Sequence, residues 1–207
     1  MAGTAPQVAY DAAARQAVFY IRLTQVGVDF SGDKITFTAR KILSHKQKFE
    51  GPLALDPAQA SARPATQHIQ NIRGSGGLQA LYFDDGCTVL SPQPPQELTP
   101  GVAFTAMGFV GGKLRIQLHY DDIRETDNHG FVTLQNSAGE QIDCVTNVAF
   151  WDEDGTGSYE EYWFDVSPDQ VQGLSAQGSF WTCGTAIQGH WEITFPLERA
   201  AGEAPPQ

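Results

Sequence analysis

The chain has 207 residues, 24 acidic against 13 basic, and a formal charge of −11. That balance argues against nucleic acid and against anionic lipid, since both need a surplus of Lys and Arg on some face. A hydrophobic fraction of 41% supplies a packed core and excludes bulk disorder, and no apolar run approaches the roughly 20 residues that span a bilayer.

The opening MAGTAPQVAY has neither the basic nor the apolar region of a signal peptide. AYDAAARQ suits a helical turn by its alanines and a strand after a turn equally well. Alternation with period two then dominates. In AVFYIRLTQV, Phe19, Ile21 and Leu23 point one way and Tyr20, Arg22 and Thr24 the other. A turn at Ser31–Gly32–Asp33 leads into Ile35, Phe37 and Ala39 opposite Lys34, Thr36, Thr38 and Arg40, a hairpin with one buried face. ALDPAQASARPATQHIQNIRGSGG reads as a long polar loop with room for a short strand. GGLQALYFDDGCTVL is a second hairpin about Asp85–Gly86.

SPQPPQELTPG carries four prolines, and proline cannot donate to a sheet ladder, so Ser91–Thr99 reads as a connector between domains. VAFTAMGFVGGKLRIQLHYDD is a strand pair about Gly111–Gly112, and GFVTLQNSAGEQIDCVTNVAF a pair turning at Ser137–Ala138–Gly139. The acidic hairpin FWDEDGTGSYEEYWFDV follows, with Tyr162, Phe164 and Val166 on one face. In DVSPDQVQGLS, Ser167 at the N-cap, Pro168 at N1 and Gln170 at N3 form a capping box for one short helix. GSFWTCGT and GHWEITFPL are closing strands. Short strands at regular spacing with turn signals predict an all-β chain of two β-sandwich domains in tandem. Residues 1–95 form the first and less regular one, 96–198 the second with its short helix, and 199–207 a frayed tail.

Three residue groups are candidates for chemistry. The first is the acidic hairpin. Asp152 and Asp154 begin like an EF-hand calcium loop, but Gly155 arrives too early and the twelfth position is Trp163. A calcium site of another kind, using Asp152, Asp154 and Glu160, competes with a plain hairpin tip whose carboxylates stay in water, and a sugar-stacking platform of the four tryptophans, Trp151, Trp163, Trp181 and Trp191, competes with aromatics that fill the core and cross-strand pairs. Glu160 and Glu161 fall on opposite faces of a strand, which is no glycosidase pair. The second group is His119, Asp121, Asp127 and His129, ligand types that zinc accepts, on either side of a connection that also reads as an ordinary DNHG turn. The third is the cysteines. There are three, with no CxxC, so at most one disulfide forms within the chain. Outside the cytoplasm Cys144–Cys183 is the expected pair, both lying on strands of one domain. No nucleophile elbow, phosphate loop or cysteine-protease signature is present.

GKLRIQLHY, DNHGFVTL, FWDEDGTGSYEEYWFDVSPDQ and GHWEITFPLE resemble the uncharacterised immunoglobulin-like ectodomain of Gram-positive anti-sigma-factor-like membrane proteins. The most specific segments are the closing W-x-I/V-x-F-P-L strand and Y-E-E-Y-x-F-D-(V/I)-(S/T)-P. The resemblance covers roughly Leu78 to Glu198. It implies immunoglobulin-like sandwiches and a non-enzymatic sensory or regulatory role on the extracytoplasmic side, for an unknown ligand or protein. It also implies a parent anchored by a membrane helix outside this chain. It carries over no binding residues, and no cofactor is expected. The alternatives are a cell-surface carbohydrate- or calcium-binding module, and an enzyme with a metal at the His119 group.

Overall fold

The computed structural model describes residues 7–11, 16–20, 34–70, 72–76 and 79–196. The turn at Ser31–Asp33, the outer part of the first predicted strand and the tail at 199–207 lie outside the described residues. The chain divides into two units, Met1–Ala39 with Trp191–Gln207, and Arg40–His190.

In the first unit β1 (Gln7–Asp11) pairs antiparallel with β2 (Gln16–Tyr20). Two long strands, β3 (Lys34–Pro52) and the last of the described strands, cross the division between the units. The second unit continues with β4 (Thr66–Ile69), β5 (Ile72–Gly76), β6 (Gln79–Phe83), β7 (Cys87–Leu90) and β8 (Gln96–Thr99). Then come β9 (Val102–Val110), β10 (Lys113–Tyr120), the single turn α1 (Ile123–Thr126) and β11 (His129–Gln135). β12 (Gln141–Ile142), β13 (Thr146–Trp151), β14 (Ser158–Trp163) and β15 (Ser175–Pro196) complete it. Among the described residues the architecture is all-β, with several antiparallel sheets.

One sheet has seven strands in the order β6-β5-β13-β14-β10-β9-β8, a second has four in the order β12-β11-β15-β3, and β4 pairs with β7. The β9–β10 hairpin turns tightly at Gly111 and Gly112, with φ of 62° and 76°, a region where only glycine sits without strain. Alternation on β10 sends Leu114, Ile116, Leu118 and Tyr120 to one face, where they meet Tyr162 and Phe164. Val132, Leu134, Ala176 and Phe180 of the four-stranded sheet close this cluster. On the opposite face of the large sheet, β4 and β7 cover a second cluster of Ile72, Val89 and Val148. The middle of the large sheet is thus covered on both faces.

The proline connector does not separate domains. β5, before it, pairs with β13, after it, so one sheet runs across Ser91–Thr99, within the unit Arg40–His190. Prolines forbid ladder bonds only locally. Gln93 N–H still donates to Thr105 O and Ser91 N–H to Ala65 O, which ties the connector to the strands beside it. The expected helix after Ser167 is a single turn. One half of the capping box forms, with Ser167 N–H donating to Gln170 Oε1 at 3.0 Å, while the Gln170 N–H goes to Ser167 O and not to the hydroxyl, and Gly173 at φ 77° turns the chain away before a second turn can propagate.

Candidate functional site

Asp152 is the organising residue of the acidic hairpin. Its Oδ1 accepts from Thr156 N–H (3.1 Å) and its Oδ2 from Gly157 N–H (3.0 Å). Asp154 Oδ1 accepts from Thr156 N–H (3.0 Å) and hydroxyl (2.7 Å), and these bonds, the hydroxyl's first, hold its carboxyl below the usual range. Asp152 Oδ1 and Asp154 Oδ1 meet on the one Thr156 amide, and the donors these carboxylates accept from fasten the turn.

The second partner of Asp152 Oδ2 is His119 Nε2, at 2.9 Å. The other ring nitrogen, Nδ1, lies 3.0 Å from Asp121 Oδ1. Tyr159 tilts against the ring at 4.8 Å between centroids. Gly157 is required here, because a Cβ on it would stand 2.5 Å from Asp152 Oδ2 and 2.7 Å from His119 Nε2. His119, Asp121 and Tyr159 line a cleft of about 430 Å³ with Gln93, Pro95 and Glu97. Both nitrogens of His119 face carboxylates, so neither is turned toward a reacting group.

His129 is engaged elsewhere. Its Nδ1 is 2.6 Å from Asp127 O, and its ring stacks on Trp181 at 5.4 Å. The expected group His119, Asp121, Asp127 and His129 is therefore divided, and among the described residues no three His, Cys, Asp or Glu side chains form a metal-binding set. The reason is the stacking of His129 on β15, which draws it away from the sheet that carries His119.

The two adjacent glutamates of β14 depart most from a solvated tip. Glu161 is 0% exposed. Its Oε1 accepts from Arg115 Nη1 (3.1 Å) and Trp163 Nε1 (2.9 Å), and its Oε2 from Leu90 N–H (2.6 Å) and Gln117 Nε2 (3.2 Å). Arg115 also donates to Thr88 O at 2.6 Å, and its guanidinium lies 4.0 Å from the Trp163 ring centroid. Gln117 Nε2 donates to Leu90 O at 2.8 Å, and its Oε1 accepts from Thr105 Oγ1 at 2.9 Å. Burial pushes the Glu161 carboxyl up, opposed by these donors. Trp163 therefore belongs to this network.

Glu160 faces the other way, toward the main core. Tyr162 Oη donates to its Oε2 at 2.6 Å, with Gly130 O a second acceptor for the same hydroxyl at 3.0 Å and Tyr120 Oη at 2.9 Å. Burial pushes the Glu160 carboxyl up, while the Tyr162 bond and the charge of His129 pull it back. Burial also raises Tyr120 and Tyr162 well above their ordinary range. Glu160 lines a second cleft, of about 650 Å³, with Ile69, Ile123, Phe150 and Trp151. Trp151 sits across from Ser158 in the sheet and is 49% exposed.

The five expected ligand residues thus occupy four places. Trp151 and Glu160 share the large cleft, Asp152 holds His119, Asp154 fastens the turn, and Trp163 caps Glu161. The cysteines are free thiols, so the Cys144–Cys183 bridge is absent from the structure. Cys183 Sγ instead donates to Ser44 O at 2.9 Å. Arg115, Gln117 and Tyr120 belong to these networks without carrying any motif in the sequence. The signal available was Arg115-x-Gln117-x-His119, large polar side chains in strict alternation on a strand whose other face is wholly apolar. No family model matches the chain, and neither does a curated protein or a solved structure.

Proposed function

We propose that the chain is a non-enzymatic binding module, the immunoglobulin-like sensory or regulatory ectodomain of a membrane-anchored, anti-sigma-factor-like parent, acting on the extracytoplasmic side. The placement in that family rests on the sequence resemblance. The observation that supports binding over catalysis is the cleft at Glu160, where a carboxylate and an exposed indole share a recess of about 650 Å³, inside the usual range for small-molecule sites. Among the described residues, the histidine that lines the cleft of about 430 Å³, His119, is held between two carboxylates. Deletion of the gene in its native host is expected to change the transcripts of one sigma-factor regulon, with the parent recovered in the membrane fraction. An unchanged transcriptome would overturn the reading. A carbohydrate-binding module is the second reading, favoured by the exposed face of Trp151. Calcium is disfavoured, because Asp152 and Asp154 already accept from N–H and O–H groups.

A further inference from the structure

The four-stranded sheet turns Val132, Leu134, Ala176 and Phe180 to the core and the alternate residues outward. On that outer face the register of β11 with β15 sets Phe131 opposite Ser179, Thr133 opposite Gln177 and Gln135 opposite Ser175. Phe131, Thr133, Gln135, Gln177 and Ser179, with Gln141 of β12, line a recess of about 330 Å³, within the usual range of small-molecule sites. Phe131 is 56% exposed, yet its ring is propped in place. Trp181 meets it edge-on at 6.3 Å, and His129 stacks on Trp181 from the other strand. The three carboxamides are each tethered through the nitrogen, Gln135 to Gly139 O at 3.1 Å, Gln177 to Ser175 Oγ at 3.2 Å and Gln141 to Asp143 Oδ1 at 2.6 Å. A carboxamide held by one N–H still offers a second N–H and an oxygen, a donor and an acceptor in one plane. The charge at the rim is paired, since Glu50, which also lines the recess, lies 2.6 Å from Lys48 Nζ.

We propose that this recess binds a neutral oligosaccharide, with the C–H face of one pyranose ring on Phe131 and the hydroxyls beside it on Thr133, Gln135 and Gln177. The proposal rests on the binding-module reading and goes beyond it, giving the module a second face and a ligand class. A sugar hydroxyl both donates and accepts, and a carboxamide answers both. The C–H face supplies the apolar contact that a phenyl ring in water lacks. An extended peptide suits this face less well. Peptides join sheets through an open edge, whereas β11 lies between β12 and β15, and β15 between β11 and β3. An anionic sugar would give up water for a lining whose side chains are neutral apart from Glu50.

Calorimetric titration of the intact chain tests this. The probes are cellotetraose, maltotetraose, mannotetraose and triacetylchitotriose, with tetragalacturonate as the anionic counterpart and decaproline as the peptide. At least one neutral sugar is expected to bind with a Kd of roughly 0.01–1 mM, and tetragalacturonate at least roughly tenfold more weakly. Phe131→Ala removes a ring that stands largely in solvent, so the fold is expected to survive and affinity to fall roughly tenfold. That loss, on the four-stranded sheet, separates this site from a stacking surface at Trp151 on the large one. Gln177→Ala is an independent variant of the same recess, expected to weaken the sugar severalfold, and a thermal melt checks that each variant is folded. Full affinity in a folded Phe131→Ala or Gln177→Ala overturns the proposal, as does tetragalacturonate binding as tightly as the neutral sugars. So does no neutral sugar binding at concentrations up to about ten millimolar, whether or not decaproline binds. A failure here, with the regulon response intact, removes the ligand class and leaves the proposed function standing.

Discussion

Arg115 and Glu161 meet largely out of water, at 12% and 0% side-chain exposure. Such a pair contributes little against a well-packed apolar alternative, yet breaking it strands the survivor. Arg115→Ala is expected to cost about 3–5 kcal/mol, because Glu161 then lies buried with no cation. Urea denaturation monitored by tryptophan fluorescence measures this, and a loss below about 1 kcal/mol would show that the pair is solvated in solution. Glu160 gives the opposite case. Its folded carboxyl is raised by burial, so the folded state binds the proton more readily than the unfolded chain. Stability relative to Glu160→Gln should therefore rise as pH falls from the raised value toward the ordinary carboxylate range. It should be flat above that window. Protonation also relieves Tyr162, whose one hydrogen then goes to Gly130 O while Glu160 becomes a donor. Thermal melts of the two proteins across that pH range check the sign.

At the scale of elements, β7 is held in an unusual way. One edge pairs with β4, while Thr88 O, Leu90 N–H and Leu90 O are satisfied by Arg115, Glu161 and Gln117. Side chains of β10 and β14 thus do the work of a neighbouring strand. Glu161→Ala is expected to speed hydrogen exchange of the Leu90 amide well beyond that of amides in the β9–β10 ladder. Equal acceleration of both would mean that the whole unit opens at once. This arrangement also explains which parts were legible in the sequence. Leu114, Ile116 and Leu118 announce their strand because one face of β10 is wholly apolar. The β9–β10 turn was readable from Gly111–Gly112 for the same local reason. Glu160 and Glu161 looked like a wet tip because alternation marks only which residues share a face. It does not mark whether a second layer covers that face. The layer over Glu161 comes from β7, distant in sequence, and the donors that make its burial tolerable come from three different strands. The domain boundary misled in a related way, since four prolines describe local backbone freedom and not the long-range partner of β5. His119 and Asp152 came under suspicion separately, but only the fold brings them together.

For the whole molecule, the free thiols mean that the described fold uses no covalent staple. Melting temperature is expected to be the same with and without a reductant, and a fall on reduction would reveal a bridge formed in solution. The pairing of β3 with β15 has a consequence for how the protein is made. Ser44 and Cys183 touch across 139 residues of sequence, and Leu53 N–H donates to Ala176 O. A ribosome adding about 5–20 residues per second needs on the order of ten seconds to travel that far. Throughout that interval β3 is out of the exit tunnel with its partner unmade. Val132, Leu134 and Tyr120 wait beside it for Phe180. Chains halted after Val166 should therefore remain protease-sensitive and need a holding chaperone, whereas release of the full chain should bring protection in one late step. The window between synthesis of the first strands and arrival of β15 is when this protein is most exposed to aggregation.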